Sequence, residues 1–113
     1  MSKYYTRLGD EGLTHLLGKG KVPKYHPRPE ALGAVDEANA VLGFARAETQ
    51  NESIKTALLQ VQRHLYLLMA ELAATPENAE KVERLSHQQV QWLEDQIDAY
   101  SEKFPPVKEF VLP

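Results

Sequence analysis

The sequence predicts an all-α protein, part of a helical bundle, entered through a glycine-rich loop. Three observations carry that expectation. Apolar residues recur at steps of three and four along three segments, prolines and caps bound those segments, and four of the six glycines crowd the first twenty residues. A single domain with a modest core suits 113 residues, because chains of this size bury only about two-thirds of their unfolded surface.

The loop comes first. Gly9, Gly12, Gly18 and Gly20 permit positive φ, and Pro23, Pro27 and Pro29 block helix propagation, so residues 1–28 read as ordered loop with room for a short strand. From Pro29 the period changes. Ala31, Val35, Ala38, Leu42 and Ala45 form one stripe of a helix over 29–48, with Pro29 in a first turn that tolerates a missing N–H. Gly33 and Gly43 each cost about 1 kcal/mol relative to Ala there, and close packing of a neighbouring helix is the expected reason.

A second helix follows Asn51 as N-cap and stops near Ala74, ahead of Thr75-Pro76. Ile54, Leu58, Val61, Leu65, Leu68 and Leu72 make its stripe, and Leu59, Tyr66, Met69 and Ala73 a second apolar edge. So wide an apolar surface marks this helix as central. Residues 76–85 connect it, with room for a helical turn, to a third helix starting at Ser86. There Ser86 and Gln89 have capping-box spacing, and Leu85 and Val90 are placed as a staple. Val90, Leu93, Ile97, Tyr100 and Phe104 mark the stripe expected to be buried, and Pro105-Pro106 ends the helix. Residues 107–113 read as an apolar, extended tail.

Composition excludes several kinds of chemistry. With no Cys, the chain offers no disulfide, thiolate nucleophile or Cys-ligated zinc, and it fits a reducing, cytoplasmic compartment. No stretch approaches the ~18 apolar residues of a membrane span, and the opening Met1-Ser2-Lys3-Tyr4 starts no apolar signal region. The net charge of −3 argues against a general nucleic-acid binder. His15, His26, His64 and His87 are scattered, so no zinc site is expected. His64 and His87 read as structural or solvated. Gly12 to Gly18-Lys19 has one residue too many for a P-loop, and Gly20 replaces its Ser/Thr. No GxSxG elbow and no GxGxxG after a strand occurs.

The average charge hides a division. Residues 1–30 hold six bases (Lys3, Arg7, Lys19, Lys21, Lys24, Arg28) against three acids, while the remainder is acidic. Within that basic head, residues 4–14 combine turn glycines with Thr6, Arg7 and Thr14. A turning backbone can aim successive N–H groups at one anion, and Arg grips phosphate bidentately, so a triphosphate is a reasonable guest. A surface loop with solvated lysines would look similar. On the first helix, Asp36 and Asn39 sit three apart beside the apolar stripe. They suit a helix-packing hydrogen bond or an inter-subunit contact as well as a ligand.

Taken together, Tyr5-Thr6-Arg7-x-Gly9-Asp10-x-Gly12-x-Thr14 and Arg28-x-Glu30-Ala31-x-Gly33-x-Val35-Asp36-Glu37-x-Asn39 closely resemble the PduO-type ATP:cob(I)alamin adenosyltransferases. The resemblance runs on through Leu93-Glu94-x-x-Ile97-Asp98-x-Tyr100 to Pro106-x-x-x-Phe110-Val111-Leu112-Pro113 and covers essentially the whole chain. It implies an up-and-down helical bundle of five helices, three of them present here, assembled as a homotrimer with sites between subunits. It also implies transfer of the 5′-deoxyadenosyl group from ATP to cob(I)alamin, with Mg2+ assisting the phosphates. Cobalt is then the nucleophile, so the protein needs to supply only positioning and charge stabilisation.

Carried over residue by residue, the resemblance implies ATP contacts from Thr6, Arg7, Gly9, Asp10, Gly12 and Thr14, with Lys24 and Arg28 near the phosphates. Asp36, with Asn39 beside it, falls on the subunit-interface or corrinoid side, and Phe110 beneath the corrin. Departures are Ala38 for the usual Leu, uncommon residues at Leu13 and His15, and Pro29. In the family the Leu-Pro pair is followed by a Gly-rich turn and two more helices, the first Arg-rich and contacting ATP. The sequence ends before them, so activity is expected to need that segment. The alternative expectation is a short, non-catalytic paralogue that binds ATP or corrinoid, or a helical interaction module.

Overall fold

A computed structural model describes residues 4–113. Lys3, counted above with the basic head, and the opening of the chain lie outside the described residues. The elements are β1 (Leu13–His15), β2 (Lys21–Pro23), α1 (Pro27–Glu48), α2 (Glu52–Ala73), a 3-10 turn (Pro76–Lys81) and α3 (His87–Ser101). No helix among the described residues is long and apolar enough to cross a membrane.

The first helix begins two residues before the expected Pro29. His26 is its N-cap, with Nδ1 accepting from the Arg28 N–H at 3.1 Å, and both Pro27 and Pro29 fit the first turn, where no N–H is required. An imidazole cap lies outside the usual Ser/Thr/Asp/Asn set. Asn51 caps α2 as expected, its Oδ1 accepting from the N–H groups of Ser53 and Ile54 at 2.9 and 3.2 Å. Ser86 caps α3 in a complete capping box with Gln89, so the helix proper starts at His87.

Short connections make neighbours antiparallel. Arg28 meets Ala74 and Asn39 meets Gln62 across the turn at 49–51, so α1 and α2 run in opposite directions. Glu71 accepts from the Leu85 N–H, and His64 meets Trp92 edge to face at 5.2 Å, which turns α3 back along α2. The bundle is thus up-and-down with α2 in the middle, as its two apolar edges require. His64 is structural: its Nε2 lies 2.8 Å from Gln60 Nε2, and its ring packs on the indole.

Two expectations fail. The α3 stripe is not buried: Val90, Leu93 and Ile97 are 51%, 44% and 55% exposed. Leu93 and Ile97 face an open groove shared with Ile54, Leu58 and Val61, which no described element covers, and Val90 lines a second hollow with Val61 and Leu65. The two helix glycines also part ways. A Cβ on Gly43 would stand 3.0 Å from Gln62 Nε2, so α2 does approach closely there, but nothing lies within 4 Å at Gly33. At that crossing Gln62 Nε2 donates to the Asn39 carbonyl at 3.1 Å, while Asn39 Oδ1 and Gln62 Oε1 are buried without a partner.

The expected loop contains a hairpin. Antiparallel β1 and β2 pair Leu13 with Pro23, Thr14 with Val22 and His15 with Lys21, and His15 Nδ1 lies 3.0 Å from the Gly20 carbonyl oxygen. Gly20 has a φ of +85°, a conformation glycine adopts without penalty. The connecting turn leans on the end of α2: the Leu17 N–H donates to the Ala73 carbonyl at 2.8 Å, and the Thr75 N–H to the Leu17 carbonyl at 3.1 Å. Ala74, 4% exposed, is the fully buried residue at this junction.

Candidate functional site

The residues that carried the functional expectation lie mostly in the segment leading into β1. Thr6 Oγ1 accepts from the Leu8 N–H at 3.3 Å, which bends the chain immediately before Arg7. Arg7 has a φ of +61°. A non-glycine residue in that region costs roughly 1–2 kcal/mol. The Asp10 N–H then donates to the Arg7 carbonyl at 3.3 Å and the Gly12 N–H to the Gly9 carbonyl at 3.1 Å. Gly12 turns the chain with a φ of +84°. Its carbonyl accepts from the Lys24 N–H at 2.9 Å, which ties the loop to the residue after β2.

That tie explains how Gly9 and Lys24 come together. A Cβ on Gly9 would stand 3.1 Å from Lys24 Nζ and 3.3 Å from the Leu13 carbonyl oxygen. The ammonium therefore lies against bare backbone, and any larger residue at position 9 would displace it. Arg7, Leu8, Asp10, Glu11, Leu13 and Lys21 line an open hollow of about 290 Å³ beside this point. Arg7 also stacks its guanidinium over the Tyr5 ring at 5.6 Å, a contact that orients the cation without neutralising it. Thr14 is half-buried on β1. Thr6, Arg7, Gly9, Asp10, Gly12, Thr14 and Lys24 thus form one neighbourhood.

Arg28 is placed differently. Its Nη1 donates to the Ala74 carbonyl at 2.5 Å and reaches the Leu72 carbonyl at 3.5 Å. The guanidinium is directed at the C-terminal end of α2. Asp36 and Asn39 lie further along α1, Asp36 exposed and Asn39 half-buried against Gln62. Phe110, 88% exposed, belongs to the tail after α3. That tail leaves the bundle beside Ile54, the end of α2 opposite the glycine-rich loop, because Tyr100 and Ser101 line one groove with Ile54.

The sequence reading missed the junction residues. Thr75 Oγ1 and Asn78 Nδ2 both donate to the Leu17 carbonyl at 3.1 Å, and Glu77 Oε1 accepts from the Lys19 N–H at 3.0 Å. This last bond is the main reason the Glu77 carboxyl titrates below the ordinary glutamate range, helped by its own N–H, Thr75 and Lys81. Only the Thr75-Pro76 step advertised a boundary. Nothing in the local pattern pairs it with residues some 58 positions away. Among the described residues no group of three or more His, Asp or Glu side chains is arranged to hold a metal ion.

The described elements define a class of α-helical protein, an antiparallel bundle with a basic, glycine-bent loop docked at one end of its central helix. Comparison narrows the class. The cobalamin adenosyltransferase family profile matches residues 4–113, and the chain belongs to that family. It is 37% identical to the corrinoid adenosyltransferase of Citrobacter freundii over 114 residues, all of this chain and 65% of the relative. With the corrinoid adenosyltransferase PduO of Salmonella typhimurium it shares 37% over 96% of its length and 33% of the relative. A variant of the PduO-type ATP:corrinoid adenosyltransferase from Lactobacillus reuteri, solved with cobalamin and ATP, superposes with a TM-score of 0.88 at 34% identity. That superposition covers 98% of this chain and 61% of the other. The chain therefore spans less than two-thirds of the relatives it matches.

Proposed function

We propose that the chain carries the ATP-binding part of an ATP:cob(I)alamin adenosyltransferase. The electron pair of cobalt(I) attacks the 5′ carbon of ATP, a cobalt–carbon bond forms, the C5′–O bond breaks, and inorganic triphosphate leaves with the electrons of that bond. The observation that carries the reading is the bent loop. Arg7 is held at positive φ, and Lys24 Nζ lies against Gly9. Strain of that kind persists where the surroundings impose it and concentrates at ligand-binding sites.

In this reading Thr6, Gly9, Gly12 and Thr14 shape and line the cradle, with main-chain N–H groups and hydroxyls donating to ATP. Arg7 and Lys24 stabilise the charge that grows on the departing triphosphate. Asp10 supplies an acceptor for the nucleotide's hydroxyls or for water on its magnesium. Magnesium fits as an ion that arrives with the phosphates. It usually keeps several waters and uses few protein ligands, so it needs no carboxylate cage, and none occurs among the described residues. Asp36, Asn39 and Phe110 face the corrinoid or a neighbouring copy. The exit of the Phe110 tail opposite the loop supports a site completed between subunits of a homotrimer, and the cysteine-free sequence suits a protein working in the cytoplasm. Residues 1–28 serve as the ATP-binding loop of a single domain, and 29–113 as part of its bundle.

A spectrophotometric assay with ATP, Mg2+ and chemically reduced cobalamin tests the proposal. Protein extended by the additional length of the relatives should convert cob(I)alamin to adenosylcobalamin, and Lys24→Gln should slow it by at least tenfold, the scale of one lost charge contact. ATP-dependent conversion that ignores both Lys24→Gln and Arg7→Ala would sink it. The partial span favours a second reading for the 113-residue chain by itself, ATP binding without turnover. Calorimetric titration with ATP, run beside the same turnover assay on the 113-residue chain, distinguishes the two: binding without conversion supports the second reading and conversion overturns it.

A further inference from the structure

The C-terminal end of α2 has no cationic partner in its own last turn. A helix ends with unpaired carbonyls and a partial negative charge, and cations near its last turn stabilise it. The last turn of α2 contains no basic residue. Its carbonyls are served from elsewhere: Ala73 by the Leu17 N–H, and Ala74 and Leu72 by Arg28 Nη1. Arg28 itself is fixed in the first turn of α1, where its N–H donates to His26 Nδ1. One guanidinium thus joins the start of α1, the end of α2 and the strip of backbone against which the hairpin is docked.

The same junction is held sterically. A Cβ on Gly18 would fall 1.7 Å from Thr75 Oγ1 and 2.6 Å from Thr75 Cβ, so only glycine allows the turn to seat. Leu17 and Ala74 then form a parallel bridge, with Thr75 and Asn78 closing on the Leu17 carbonyl. Beyond this junction, β1 and β2 lead directly to Gly12 and Lys24.

We infer that Arg28 is a positioning residue that pins the glycine-rich hairpin to the end of α2, and does not act as a phosphate ligand. Its effect on nucleotide rests on the proposed function; its effect on docking does not. Lys24 and Arg7 provide the cations for the phosphates, and Arg28 keeps the cradle that carries them at a fixed height over α1.

Amide hydrogen exchange on the full chain without nucleotide tests the docking. Arg28→Gln should speed exchange at Leu17 and Thr75 by about tenfold or more, as expected for loss of a charge-assisted bond at a locally opening unit. The Leu42 amide in α1 should not change. Arg28→Lys should recover part of the protection, Gly18→Ala should release the same two amides by the steric route, and Lys24→Gln should leave them alone. The second readout is affinity for ATP and for adenosine. Arg28→Gln should weaken both by the same factor, whereas Lys24→Gln should weaken ATP alone.

Unchanged exchange at Leu17 and Thr75 in Arg28→Gln overturns the proposal. So does a loss confined to ATP, which would make Arg28 a phosphate ligand. A lowered melting temperature with both affinities intact also overturns it, leaving a residue of stability only. If the parent chain binds neither probe, the nucleotide reading fails and the exchange result alone decides the docking.

Discussion

Arg7 is the residue where conformation and chemistry are hardest to separate. Its φ of +61° would suit glycine, yet the position holds a long cation stacked on Tyr5. Arg7→Gly tests what the strain is for. Relief of the left-handed conformation, roughly 1–2 kcal/mol, is offset by the larger chain entropy of glycine, about 0.5–1 kcal/mol. Urea denaturation should therefore place the variant within about 1 kcal/mol of the parent. ATP affinity should fall at least tenfold, because the guanidinium is gone. A variant that binds ATP as well as the parent would show that the strain serves the loop alone. The motif around Arg7 was legible in the sequence because glycine and hydroxyl spacing is a local property. The role of Arg28 was not, since its partner carbonyl lies 46 residues away and offers no side chain to recognise.

Local signals were equally decisive for the elements. Asn51, the Ser86 and Gln89 pair, and Thr75-Pro76 marked boundaries that the hydrogen bonds reproduce. His26 was overlooked because imidazole is an uncommon cap, and the three-residue strands were too short for an alternating pattern to emerge. The docked hairpin is the element whose stability should respond to pH. The Glu77 carboxyl accepts the Lys19 N–H first of all, and this holds its titration below the usual glutamate range. A lowered carboxylate contributes stability above its unfolded titration range and loses it as pH falls through the folded value. The Lys19 amide shift should thus hold constant from neutral pH down to the ordinary glutamate range and move only below it. Glu77→Gln should remove that acid transition while Leu42 in α1 is unaffected. A midpoint at the ordinary glutamate value would mean that the bond to Lys19 does not persist in solution.

At the scale of the molecule, the described helices leave much of their apolar surface open. The radius of gyration is 17.9 Å, against about 13 Å for a compact chain of this length. The accessible surface is 9286 Å², against roughly 6,300 Å² for a folded monomer of this mass. Ile54, Leu58 and Val61 on α2 and Leu93, Ile97 and Tyr100 on α3 bound an apolar groove of about 460 Å³. Val41 and Phe44 add exposed apolar area on α1. The periodicity identified Ile54, Leu58 and Val61 as part of one stripe of α2, and Leu93, Ile97 and Tyr100 as part of one stripe of α3. It could not say whether anything covers those stripes, because the pattern records only that a side chain prefers to leave water. Surfaces of this size drive association. The 113-residue chain at tens of micromolar should therefore sediment above its monomer mass of 12.8 kDa. Leu93→Glu, which places a charge at the middle of the groove, should shift the distribution toward monomer, since an unpaired carboxylate resists burial. Asp98→Asn, on the same helix but outside the groove lining, should not. A monodisperse 12.8 kDa species with one sharp melting transition would contradict the prediction, because the open groove would then be compatible with a stable monomer. Association that persists unchanged in Leu93→Glu would instead move the contact to Val41 and Phe44 on α1.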